Sequence, residues 1–81
     1  MTDDEQRELW GTLDGIGQTL LILIGELEVA GRIDGPGFSR RLRRFADGRD
    51  RQTAHQDSAS VMRDLAERID RAHAVRADRS A

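Results

Sequence analysis

Eighty-one residues allow one domain with one modest core, and a lone core of that size leans on a staple or on self-association. The chain has no Cys, which excludes disulfides, thiolate chemistry and Cys-ligated zinc. Its charged and apolar shares, 35% and 37%, are too apolar for evident disorder and too charged for a membrane protein. The formal charge of −2 conceals a segregation. Residues 1–34 carry eight acids and two Arg, residues 35–52 carry six Arg and two Asp, and residues 53–81 are balanced. An acidic first helix beside a basic second one is the simplest use of that pattern. All the basic residues are Arg and none is Lys, a coding bias rather than a sign of nucleic-acid binding.

The first predicted element opens at Thr2-Asp3-Asp4-Glu5. Thr2 is placed to cap a helix, Glu5 to reach back to it, and the acids suit the positive end of the helix dipole. The acidic start is the reverse of a signal peptide's basic one. Leu9, Leu13, Ile16, Leu20, Leu23, Ile24 and Leu27 follow at steps of three and four, which places them on one helical face. The most apolar run, Leu20 to Ile24, is five residues long, against the ~20 a membrane span needs. The expectation is a cytoplasmic protein with no membrane association. The helix is expected over residues 3–31, with Gly31 as a left-handed cap.

This helix carries a second stripe opposite the first: Gly11, Gly15, Gln18, Ile22, Gly25 and Val29. Glycine costs ~1 kcal/mol relative to Ala inside a helix, so three on one stripe need a reason. Close approach of another helix supplies one, because small residues let backbones come near. The main apolar face is then expected to pack on the other two helices, and the glycine stripe to meet a second copy of the chain. The competing reading is that Gly15-Ile16-Gly17 kinks or splits the helix.

Ile33-Asp34-Gly35-Pro36 punctuates the chain. Asp34 or Gly35 is positioned to cap, and Pro36 fits a first helical turn. Phe38, Leu42 and Phe45 then mark a short helix over residues 36–48 with its apolar face on the core. Arg40, Arg41, Arg43 and Arg44 surround that face. Such a fork of guanidinium groups is able to grip phosphates or an acidic protein. The plainer reading is a solvated or internally paired face, because no DNA-binding signature accompanies the cluster and its aromatics do not interleave with it.

The third helix is expected over residues 54–76, on Ala54, Ser58, Val61, Met62, Leu65, Ile69 and Ala72, with residues 77–81 frayed. His55 and His73 lie near its apolar border, eighteen residues apart, which is ~27 Å along a helix and too far to share a metal ion. Asp70 and His73 have the i, i+3 spacing of carboxylate-bridged metal bundles, but no inward-facing glutamate accompanies them. No nucleophile elbow and no Gly-rich phosphate loop is present, so no metal, cofactor or catalytic residue is assigned.

The sequence therefore points to an all-α chain, a small three-helix bundle built on a long first helix. Its expected role is a non-enzymatic protein-binding module, an adaptor, assembly factor or inhibitor, working as a homodimer or on another protein. A nucleic-acid-associated regulator using Arg40, Arg41, Arg43 and Arg44 is the first alternative. A phage- or plasmid-type anti-defence inhibitor is the second.

Overall fold

The computed structural model describes residues 1–80 and is all-helical. It holds α1 (Asp3–Val29), α2 (Gly35–Asp50), a single 3-10 turn (Thr53–His55) and α3 (Gln56–Ser80). The third helix continues past residue 76 to Ser80. Residue 81 lies outside the described residues.

Local chemistry sets the ends of α1. The Thr2 hydroxyl oxygen accepts from the Glu5 backbone N–H at 3.2 Å, and the same hydroxyl donates to the Glu5 carboxylate at 3.1 Å. Thr2 is thus a side-chain N-cap, with acids in the first turn at the positive end of the helix dipole. At the other end the Arg32 N–H bonds the Leu27 carbonyl and the Gly31 N–H bonds the Glu28 carbonyl. Gly31 adopts φ +71° there, a Schellman stop that a side chain would strain. Between these ends the helix is continuous, so Gly15-Ile16-Gly17 does not break it. Asp34 occupies the N-cap of α2 without a side-chain cap bond, and Pro36 sits in the first turn.

The three helices run up, down, up. Gly17 lies against Leu65, and Glu28 pairs with His73 and Arg76, so α1 and α3 are parallel. Ser39 bonds Asp70 and Arg49 bonds Ser58, so α2 is antiparallel to α3. The core lies between α2 and α3 and is made of small residues. Gly35, Gly37, Ser39 and Ala46 are buried on α2, and Ala59, Ala66 and Ile69 on α3. Small side chains bring the two backbones close, and α2 accordingly packs far more extensively on α3 than α1 does.

Two packing expectations are corrected. Phe45 is 69% exposed, and Phe38 and Leu42 are only half-buried, because α2 turns its Ser39/Ala46 side to α3 and leaves the aromatics on its flank. The main apolar face of α1 does not pack on the other helices either. No residue of α1 is buried. The helix docks instead through a neighbouring strip that includes Gly17, which lies against Leu65, and Glu28, which pairs with His73 and Arg76.

Candidate interaction surface

One polar anchor holds α1 in place. The Glu28 carboxylate pairs with His73 Nδ1 and with Arg76, and its side chain is 12% exposed. It lies over Gly35, where an added Cβ would stand 2.6 Å from Glu28 Oε1. The carboxylate therefore sits at the start of α2, where a helix end favours negative charge. Gly25 lies beside Arg76, whose Nη1 would be 3.3 Å from an added Cβ. Sequence spacing alone offered no sign of this anchor, since its partners are 45 and 48 residues apart.

Beside that docking strip runs an open apolar seam. Leu9, Leu13, Ile16, Leu20, Leu23 and Leu27 follow steps of 4, 3, 4, 3 and 4, the a/d spacing of a heptad coiled coil. All six remain between 36% and 55% exposed. Trp10, at 71%, stands at the edge of the same face. Between the first half of the seam and α3 lies a groove of about 420 Å³, lined by Trp10, Leu13, Ile16 and Leu20 of α1 and by Val61 and Leu65 of α3, together with Asp14, Gly17, Asp64 and Arg68. The seam is thus a contiguous apolar face left half-exposed. Sequence reasoning assigned these residues to the core, although the unbroken 4-3 spacing was there to be read as a seam.

The glycine stripe is also open, but thin. Gly11 and Gly15 have nothing within 4 Å of an added Cβ, and Gln18, Ile22 and Val29 are exposed. Gly25 is separated from them by its contact with Arg76. The stripe thus offers two isolated aliphatic side chains, where the seam offers six in register.

The Arg cluster is divided by internal pairing. Arg43 bonds Asp70 at 2.8 Å and stands 3.9 Å from Glu67. Arg40 is 3.9 Å from Asp34. Arg41 and Arg44 are exposed, and neither forms an ion pair among the described residues. Arg43 belongs to a small network centred on Asp70, which also accepts from the buried Ser39 hydroxyl at 2.6 Å. The Ser39 hydrogen bond, followed by Arg43, holds the Asp70 carboxyl below its usual range. At the far end of the hairpin Arg63 bridges Asp47 at 2.8 Å and Asp50 at 2.5 Å. Those two carboxylates raise its already high pKa.

These pairs join α2 to α3 or lie within one segment, and none joins an acid of α1 to an Arg of α2. Among the described residues, then, the acids of α1 and the arginines of α2 do not pair with each other. Asp70 and His73 serve different partners, Ser39 with Arg43 and Glu28 respectively, and His55 lies in the 3-10 turn. No helix among the described residues is long and apolar enough to cross a membrane. Comparison of the chain with models of protein families, with curated proteins and with solved structures finds no match.

Proposed function

We propose that this chain is a non-enzymatic helical interaction module that works as a homodimer through α1. The observation that carries the reading is the six-residue Leu/Ile seam, left half-exposed on a continuous 27-residue helix. Fully burying one such side chain is worth about 1.5–3 kcal/mol, so a partner that covers the seam gains substantial apolar burial. A bundle of this size also draws on association for stability. The internal pairing of Arg40 and Arg43 leaves the nucleic-acid reading, among the described residues, with Arg41 and Arg44 as the members of its cluster outside an ion pair.

Sedimentation equilibrium of the wild type beside Leu20→Glu and Ile22→Glu tests this. The expected result is a dimeric wild type, a helical monomer for Leu20→Glu and a dimer for Ile22→Glu. Loss of affinity in Leu20→Glu should exceed 100-fold, because a carboxylate would replace the central apolar contact. A wild type that stays monomeric at high micromolar concentration ends the proposal. A dimer disrupted only by Ile22→Glu moves the interface to the glycine stripe.

A further inference from the structure

We infer that the open seam is covered by α1 of a second copy running parallel to the first, about a two-fold axis along the bundle. This rests on the homodimeric reading above and adds orientation and register to it.

The argument comes from where each contact falls around its helix. At ~100° per residue, Leu65, Arg68, His73 and Arg76 of α3 centre on the side that meets α1, while the buried Ala59, Ala66 and Ile69 centre on the side where Asp70 bonds Ser39 of α2. The two sets stand roughly 70° apart around α3. On α1 the seam lies roughly 100° from the Gly17/Glu28 strip that meets α3. Because α1 and α3 are parallel, the opposite senses of these two rotations put the seam and α2 on the same side of the α1–α3 pair. The chain thus forms three corners of a four-helix square. The fourth corner is bordered by the seam and by the α2 flank that carries Phe38 and Phe45. That placement accounts for a Phe45 that is 69% exposed.

Only one orientation fills this corner in both copies. A two-fold axis along the helices sets Leu9 beside Leu9 and Leu27 beside Leu27, with each α1 lying next to the other chain's α2. The second copy's α2 and α3 then lie on the far side, clear of the first. A perpendicular two-fold axis would make the two α1 helices antiparallel, and it would swing the second α3 into the volume already held by α2.

Charge is consistent with the parallel arrangement. The start of α1 lies level with the end of α2, since Gly17 is level with Leu65 and Ser58 with Arg49. Glu5 and Glu8 of the incoming helix therefore approach Arg49 and Arg51. None of these four forms an ion pair among the described residues.

The absence of Cys makes the test direct. Leu9→Cys, Leu27→Cys and, on the glycine stripe, Ile22→Cys are oxidised separately, and Leu9→Cys is also oxidised mixed with Leu27→Cys. Sedimentation of the wild type and circular dichroism of each variant accompany them. Residues 9 and 27 are ~27 Å apart along α1, so the readouts do not overlap. The expected result is a covalent homodimer from Leu9→Cys and from Leu27→Cys alone, and none from Ile22→Cys. A mixed disulfide between Leu9→Cys and Leu27→Cys chains, with neither forming alone, would overturn the parallel orientation and leave the dimer standing. Trapping by Ile22→Cys only would overturn the seam as the interface. A monomeric wild type overturns the homodimer itself.

Discussion

The α2–α3 hairpin and α1 carry the same kind of helical spacing with opposite side chains, and the structure treats them in opposite ways. Ser39 and Ala46 face Ala59, Ala66 and Ile69 across a closed seam. Leu9 to Leu27 form an open one. Small residues bury completely because two backbones approach until no space is left, and the contact then depends on shape. The hairpin adds specific polar ties at both ends, Ser39–Asp70–Arg43 and Asp47–Arg63–Asp50. Large aliphatic residues on α1 would hold two helices too far apart to share that arrangement. The chain therefore closes its core with its least hydrophobic seam and keeps the most hydrophobic one free. In this chain the seam stays half-exposed while Glu28, on the neighbouring strip, pairs with His73 and Arg76.

Four substitutions test that contrast. Glu28→Ala removes the anchor and leaves His73 and Arg76 without their shared carboxylate. The expected loss is about 1.5–3 kcal/mol, read by chemical denaturation, with hydrogen exchange rising in α1 before α2 and α3. Uniform exchange across the three helices would mean that α1 is not a separately held element.

Ala66→Leu places a large side chain at a site with 0% exposure in the closed seam. Overpacking of this kind costs about 1–3 kcal/mol, and thermal melting should show it even under conditions where Leu20→Glu leaves the hairpin intact. A neutral result would mean that α2 and α3 are free to move apart, so that closeness is not what closes their seam.

Gly15→Ala has the opposite sign. An added Cβ meets nothing within 4 Å, and Ala is favoured over Gly by ~1 kcal/mol in a helix. The variant should gain helicity and thermal stability with its dimerisation unchanged. Weakened association would show instead that the glycine stripe is in contact with something.

The smallest effect concerns Asp70. Its carboxyl is held below its usual value by Ser39 and Arg43, so the folded chain holds the proton less tightly than the unfolded one. The stabilisation is present above the unfolded pKa of about 4 and fades as pH falls through the lower folded value. The side chain is 39% exposed, which keeps the effect small. Asp70→Asn should flatten this part of the acid titration and cost about 1 kcal/mol near neutral pH. An unchanged acid limb would remove Asp70 from the hairpin's stabilising ties.

Much of this was legible in the residues themselves. Thr2-Asp3-Asp4-Glu5 specifies a helix start, and Gly31 a stop, because both depend on atoms within one turn of the chain. Asp34-Gly35-Pro36 marks the second start for the same reason, and the all-helical class follows from spacing repeated over three segments. The positions of the site residues along their helices were equally readable, since spacing determines which residues share a face.

What those faces touch was decided only by tertiary structure. Hydrophobicity ranks the α1 leucines and α2 phenylalanines as core, yet a helix pair closes where backbones fit, and here Ser39, Ala46, Ala59 and Ala66 fit best. The fate of the Arg cluster likewise depended on Asp70, 27 residues beyond Arg43. The strip by which α1 docks also includes Glu28, whose partners are more than forty residues away. Local chemistry states which residues can bury or pair, and the competition among distant partners for the same space selects which of them do.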